Sequence, residues 1–244
     1  MLSVAEFDAT GTATRDLNLT QNGTKLVFDS ASTVIGGGED FFGNGQRTAF
    51  IRGGNGALHA WSFDDTGSLT QGTDFTLSGT ALVVDSSSTV VGGGEDFFRA
   101  GTGQRTLFIR GGNGALHAWG FNKATGAIEA GQDFSSGGTP LIVDTGTTVV
   151  GGGEDFLGNG GHTAFVRASD GSLSVLDFTS TGATDIRQAF TVAGGAALVI
   201  DTGTTVTGGA GDYFNTGGHG IYVHDAGGRH VWEFNASGMR TGVA

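Results

Sequence analysis

Apolar and polar residues alternate along this chain in short runs, and nearly every run is closed by glycine. Residues 48–52 read Thr-Ala-Phe-Ile-Arg and residues 57–63 read Ala-Leu-His-Ala-Trp-Ser-Phe, with Gly53, Gly54 and Gly56 between them. β-Branched and aromatic runs cut by glycine predict strands, and no stretch goes far enough without Gly, Thr or Ser to favour a long helix. Strands a, b, c and d are therefore predicted over 33–37, 48–52, 57–63 and 68–75. Gly53-Gly54-Asn55-Gly56 joins b to c as a hairpin, because glycine supplies the positive φ that a tight turn needs, and Asp64-Asp65-Thr66-Gly67 joins c to d.

The same pattern returns along the chain. Residues 33–42 recur at 89–98 and 148–157 and, in decayed form, at 205–214; Glu39, Glu95, Glu154 and Gly211 are spaced by 56, 59 and 57 residues. Residues 50–61 recur letter for letter at 108–119, with weaker copies at 165–176 and 222–232. Four antiparallel strands per repeat predict an all-β repeat protein of about four four-stranded sheets, arranged as a small, four-bladed β-propeller. A solenoid coil usually repeats at roughly 20 to 30 residues, about half this period. The units run approximately 32–87, 88–146, 147–203 and 204–244, with 1–31 a partial unit expected to pair with the C-terminal end. Residues 1–17 and 228–244 both align with 57–73, so one copy of strand c is surplus. One terminal strand is expected to pack outside the regular blade, either as a spare edge strand or as a pairing site for another subunit.

Composition narrows the function classes. The 18 Phe among 37% hydrophobic residues can build a core, while 48 Gly without a Gly-X-Y period exclude collagen. The net charge of −12 and the lack of any Lys/Arg cluster argue against nucleic acid and against an anionic membrane surface. No run approaches a membrane span, so no membrane insertion is expected. With no cysteine, disulfides, thiolate metal sites and a cysteine nucleophile are excluded. The N-terminal residues carry neither a charged nor an apolar leader region, so no classical signal peptide is read in this chain.

The run Gly38-Glu39-Asp40-Phe41-Phe42-Gly43-Asn44-Gly45-Gln46-Arg47-Thr48-Ala49-Phe50-Ile51-Arg52, followed by a glycine turn and Leu58-His59-Ala60-Trp61, resembles the FG-GAP/VCBS-type propeller repeat. That resemblance covers all four units and implies a propeller, commonly surface-exposed or secreted, used in adhesion or ligand binding. It also implies a Ca²⁺ loop, whose oxygens sit at alternating positions. Carried over, the first ligand position is Asp40, Asp96, Asp155 and Asp212, and the fifth is Asn44 and Asn159; the third is Phe42, Phe98, Leu157 and Phe214, which cannot coordinate. The loops are thus degenerate, and the expectation is no cofactor, each aspartate capping backbone N–H groups of its turn instead.

Three further columns recur by repeat. Arg47, Arg105, His162 and His219 form one, and Arg52, Arg110, Arg167 and His224 another. These residues either fork onto carboxylates and carbonyls to lock one unit to the next, or form a ring of cations for an anionic ligand. His59 and Trp61, His117 and Trp119, and His230 and Trp232 share one face of strand c. They either pack between blades or line a lectin-like pocket, since an aromatic face flanked by polar donors suits a sugar ring. Phe41, Phe97, Phe156 and Tyr213 read as core. No unique Ser, His and acid set emerges, and Glu39-Asp40, Glu95-Asp96 and Glu154-Asp155 are strand neighbours that point to opposite faces, so no enzyme is expected. The sequence thus predicts a non-catalytic, extracellular or cell-surface binding protein for carbohydrate or a cell-surface polymer. The alternative is a structural subunit, a homo-oligomer built through the surplus strand.

Overall fold

The computed structural model describes residues 3–7, 13–37, 40–93, 97–98, 104–152, 156, 162–179, 183–211 and 218–243. These residues form strands and turns, with no helix among them. A leader contributes β1 (Ser3–Phe7) and β2 (Ala13–Asn18), then a small ribbon of β3 (Thr20–Gln21) and β4 (Thr24–Lys25). Unit one follows as β5 (Thr33–Gly37), β6 (Arg47–Arg52), β7 (Leu58–Phe63) and β8 (Leu69–Asp74), with the ribbon β9 (Thr76–Leu77) and β10 (Thr80–Ala81). Unit two is β11 (Thr89–Gly93), β12 (Gln104–Arg110), β13 (Leu116–Asn122) and β14 (Ile128–Asp133), with the ribbon β15 (Ser135–Ser136) and β16 (Thr139–Pro140). Unit three is β17 (Thr148–Gly152), β18 (His162–Arg167), β19 (Leu173–Phe178) and β20 (Thr184–Ala189); unit four is β21 (Thr205–Gly211), β22 (His219–Asp225), β23 (Gly228–Phe234) and β24 (Arg240–Val243).

Each unit is one four-stranded antiparallel meander in simple sequence order, as the repeat predicts. The pairing of first and second strands slips at equivalent places, between Val34 and Gly36, Val90 and Gly92, and Val149 and Gly151. Those glycines mark where neighbouring sheets meet. A Cβ on Gly36 would lie 2.7 Å from the Val90 Cβ and 2.8 Å from its carbonyl oxygen, while one on Gly92 or Gly151 would overlap the carbonyl of Val149 or Val206. First strands of successive sheets are therefore in backbone contact, β5 with β11, β11 with β17 and β17 with β21. Sheets that meet through their first strands and diverge toward their fourth have the radial arrangement of propeller blades.

The core lies between these blades. Phe41, Phe50, Leu58, Ala60 and Phe75 of unit one pack on Val90, Leu107, Ile109 and Phe121 of unit two. Equivalent clusters join units two and three, and units three and four. At each boundary the Phe after the fourth strand meets a Phe on the next unit's third strand: Phe75 with Phe121 at 4.3 Å, Phe134 with Phe178 at 4.1 Å, and Phe190 with Phe234 at 4.1 Å between ring centroids. Aromatic pairs at such separations contribute about 0.5–1.5 kcal/mol beyond their buried area.

Between units the chain doubles back. After β8 the segment 82–84 returns beneath the Gly56 turn, where Val84 N–H donates to the Gly56 carbonyl at 3.0 Å and Leu58 N–H to the Leu82 carbonyl at 2.9 Å. The Arg52 side chain fixes this return by donating Nε–H to the Val84 carbonyl at 3.0 Å. Arg110 does the same to Val143 at 2.9 Å, and Arg167 to Ile200 at 3.0 Å. The three arginines of that column are thus carbonyl clamps within their own units, not the links from one unit to the next, or the ring of cations, that the sequence suggested.

The leader sits ahead of unit one. Thr20 N–H donates to the Gly67 carbonyl at 2.9 Å, as Thr76 N–H does to Gly126 one unit on, and Leu19 and Leu26 pack on Phe63. Among the described residues β1 and β2 pair with each other, and the fourth sheet takes its last strand from β24. The leader therefore stands where the outer half of a preceding blade would stand, covering the outer part of unit one. Its inner part stays open: Val34 is 48% exposed, while its counterparts Val90, Val149 and Val206 are 9%, 7% and 1% exposed. On the far side of unit four, Tyr222 and Arg229 replace the buried Phe and Leu of the other units and face solvent.

Adding one methyl group where the first strands touch should be costly. Gly151→Ala is expected to destabilise by about 1–3 kcal/mol in urea unfolding. Gly131→Ala, whose Cβ would meet Trp119 at an ordinary 3.5 Å, should change stability by less than about 0.5 kcal/mol.

Candidate functional site

The third strand of unit one presents two faces. Leu58 and Ala60 point into the core shared with unit two, while His59 and Trp61 point the other way and are half-buried. His59 lies directly opposite Asp74 on β8, and its Nδ1 is 2.7 Å from Asp74 Oδ1. A carboxylate can only accept, so Nδ1 carries the proton in this bond. Nε2 is turned toward Gly53, 3.3 Å from where a Cβ would stand there. Trp61 lies opposite Gly72, which places no side chain beside the indole; a Cβ there would sit 3.3 Å from Trp61 Cδ1.

The residues leading into β5 form the facing wall. Phe28 stacks on Trp61 with ring centroids 5.3 Å apart and planes 23° apart. Beside this pair opens a cavity of about 670 Å³ that Phe28, Asp29, Ile51, Asn55, His59 and Trp61 help to line. A second hollow of about 340 Å³, bordered by Phe28, Thr33, Val34 and Ile51, lies on the open inner face of unit one. Among the described residues the leader packs on Phe63 and not on Val34. At the next boundary the ground is filled by Phe41, Phe42 and Phe50. Phe28 itself aligns with Val84, Val143 and Ile200, of which Val84 and Ile200 are buried in their cores.

Asp29 closes the turn before β5. Its Oδ1 accepts the Ala31 N–H at 2.9 Å, and the Ser32 hydroxyl, then the Ala31 N–H, hold its carboxyl below the ordinary value of 3.8. Asp85 repeats this before unit two: the Ser87 N–H at 2.9 Å is the largest cause of its lowered pKa, and the Gly112 N–H of unit two adds to it. These aspartates stitch one unit to the turn of the next.

The remaining sequence candidates lie elsewhere. His117 and Trp119 repeat the arrangement in unit two, with His117 Nδ1 2.7 Å from Asp133 Oδ1. In unit four, His230 instead places Nε2 3.1 Å from Asp225 Oδ1; Trp232 is 8% exposed, with the Arg240 guanidinium 5.1 Å from its ring centre. Arg47 is exposed on the open face, and Arg105 reaches back to the Gly43 turn of unit one. His162 lies over Phe97 at 5.4 Å and His219 over Phe156 at 5.3 Å. That column therefore marks successive unit boundaries. Asp40 caps its own turn, Oδ1 accepting the Asn44 N–H at 3.0 Å and Oδ2 the Gly45 N–H at 2.8 Å. The Asn44 side-chain oxygen accepts the Gln46 N–H at 3.0 Å, while Phe42 is buried in the core. Asp96, Asp155, Asn159 and Asp212 lie outside the described residues. Among the described residues no three His, Asp or Glu side chains cluster closely enough to hold a metal ion.

Phe28, Asp29, Asp74 and Asp133 were not singled out from the sequence. The recurring runs 26–29, 82–85, 141–144 and 198–201, each apolar and ending in Asp, are the signal that marks the first two.

No protein-family model matches the chain, and no curated protein sequence matches it. The solved structures it resembles include a fucose-specific lectin from Aleuria aurantia, at 8% identity and TM-score 0.36, over 82% of this chain and 55% of the lectin. The Dos1 propeller aligns at 9% identity and TM-score 0.33, over 99% of this chain and 52% of that one. A point mutant of Aleuria aurantia lectin in complex with alpha-methyl-L-fucoside aligns at 14% identity and TM-score 0.32, over 82% and 56%. The chain spans about half the length of these proteins. Its own coordinates define it as an all-β, propeller-like repeat.

Because the Asp85 carboxyl titrates lower folded than unfolded, its stabilising contribution is present above about pH 4 and is lost as pH falls through the folded value. The difference in Tm between the wild-type chain and Asp85→Asn should be full at pH 6 and shrink below pH 4 (~3.8 being the unfolded value).

Proposed function

We propose that this chain is a non-catalytic binding protein that recognises a carbohydrate at the cavity between the leader and unit one. The stacked pair of Phe28 and Trp61 carries this reading, set in a 670 Å³ cavity beside a histidine already oriented by Asp74. Small-molecule sites combine an apolar wall with a few placed polar groups, and the C–H face of a pyranose matches an aromatic wall. The His59 Nε2 lone pair accepts a sugar hydroxyl proton, and the exposed Asp29 carboxylate supplies further acceptor capacity. A free imidazole nitrogen and a charged carboxylate on either side of a ring favour a hydroxyl-rich ligand over a purely apolar one.

The finer assignment is also a proposal: a degenerate FG-GAP/VCBS-type repeat, working outside the cell or at its surface in adhesion. A second reading, a structural subunit that assembles through the surplus strand, draws on β1 and β2, which among the described residues form a two-stranded sheet of their own. Sedimentation velocity tests it: a concentration-dependent mass abolished by trimming residues 1–17 favours assembly, and a constant monomer mass counts against it.

The direct test is a glycan array followed by calorimetry on the best glycan. Trp61→Ala is expected to weaken binding at least about tenfold, a loss of roughly 1.4 kcal/mol or more, in a chain that circular dichroism shows still folded at the assay temperature. Binding that survives Trp61→Ala and His59→Ala together would refute this site.

A further inference from the structure

Asparagine followed by glycine is the pair that deamidates fastest in a polypeptide, because glycine has no side chain to keep its backbone nitrogen away from the carboxamide carbon. Five such pairs occur in this chain, beginning at Asn22, Asn44, Asn55, Asn113 and Asn159. Asn159 lies outside the described residues. Three of the others are held by hydrogen bonds. The Gly56 N–H donates to the Gly53 carbonyl at 2.8 Å, and the Gly114 N–H to the Gly111 carbonyl at 2.9 Å. The side-chain oxygens of Asn55 and Asn113 accept the Ala57 and Ala115 N–H groups at 3.0 and 2.9 Å. At Asn44 the Gly45 N–H is given to Asp40 Oδ2 at 2.8 Å, and the Asn44 side-chain oxygen accepts the Gln46 N–H at 3.0 Å. In all three, both the nitrogen that would attack and the carboxamide it would attack are fixed.

Asn22 differs. It is exposed, and with Gly23 it makes the two-residue turn between β3 and β4, closed by the pair Gln21 and Thr24. Its φ is 51° and that of Gly23 is 76°, the positive values that a hairpin of this length requires. Ladder bonds in such a turn bypass its second residue, so the Gly23 N–H faces solvent, and a Cβ on Gly23 would meet nothing within 4 Å. Among the described residues no hydrogen bond holds the Asn22 carboxamide. The fold does not call for asparagine there. The equivalent turns are Ser78-Gly79, with φ of 51° and 78°, and Gly137-Gly138, with φ of 59° and 77°.

We infer that Asn22 is a site of spontaneous covalent modification, and that the isoaspartate it yields opens the ribbon of β3 and β4. The Gly23 nitrogen loses its proton and attacks the Asn22 side-chain carbonyl carbon; a C–N bond forms, ammonia leaves, and a succinimide results. Water then opens that ring at either carbonyl, giving aspartate or isoaspartate with no change of oxidation state. Either product adds one negative charge. Isoaspartate also routes the main chain through the former side chain and lengthens it by one carbon, so Gln21 no longer faces Thr24 in register. Leu26 follows β4 directly, and its N–H donates to the Leu19 carbonyl at 2.9 Å; Phe28, on the cavity wall, stands two residues further on. The modification therefore acts on the leader whatever the cavity binds.

The test is to age the full chain in mildly alkaline buffer and map its peptides with fragmentation that separates aspartate from isoaspartate. Asn22 should convert at least about tenfold faster than Asn44, Asn55 or Asn113, because each of these must first break two hydrogen bonds. In the urea-unfolded chain the four should convert at similar rates. Hydrogen exchange at the Leu26 amide should rise several-fold on ageing, and should stay unchanged in Asn22→Gln carried through the same treatment. If Asn22 stays intact in the folded chain while converting in urea, or if Asn55 and Asn113 convert as fast as Asn22, the assignment is overturned. Leu26 exchange that does not respond to ageing would overturn the opening of the ribbon.

Discussion

Backbone contact between the first strands of successive sheets governs this molecule. Gly36, Gly92 and Gly151 permit it, because any side chain there would meet Val90, Val149 or Val206 of the next unit. Once those strands touch, the sheets can only fan outward, and the wedge between them must be filled. Phenylalanine fills it three times over, with one ring from each sheet meeting at every boundary. Glycine and Phe enrichment are therefore two sides of one constraint: one residue type brings the sheets together and the other occupies the space that opens beyond.

The candidate site follows from interrupting that pattern. Ahead of unit one stands half a blade, which covers Phe63 and leaves Val34 and the ground before Trp61 uncovered. At the other boundaries the corresponding ground is packed with Phe. Here it is a cavity, and the leader's Phe28 lies flat on Trp61 instead of entering a core. In unit four Tyr222 and Arg229 are exposed where the other units bury Phe and Leu.

Much of this was legible in the residues. The first strand of unit one falls at Thr33–Gly37 as read, and the others within a residue. The small differences have local causes: Ala57 leaves the ladder to bridge Val83 of the returning segment, and Phe75 bonds back to Leu58. The four-sheet architecture was readable because a repeated unit states its pattern several times. The returning segments and their ribbons were not, since two-residue strands of Thr and Ser look like turn. Within the site, alternation along strand c put His59 and Trp61 on one face, but Asp74 could not be paired with His59 by alternation alone. A bulge between Ser62 and Phe63 resets the register to the fourth strand. The role of Phe28 depends on its contact with Trp61, which no local pattern encodes.

The chain contains no cysteine, so engineered thiols report contact between sheets against a clean background. Gly36→Cys combined with Val90→Cys places two sulfurs on the strands that the account holds in contact, within reach of a disulfide after a small backbone adjustment. Air oxidation should cross-link that pair within one chain, seen as a mobility shift on a denaturing gel that reductant reverses, while Gly36→Cys with Val149→Cys should stay reduced. Cross-linking of the second pair in place of the first would show that successive sheets do not meet through their first strands, and the radial arrangement would fall with it.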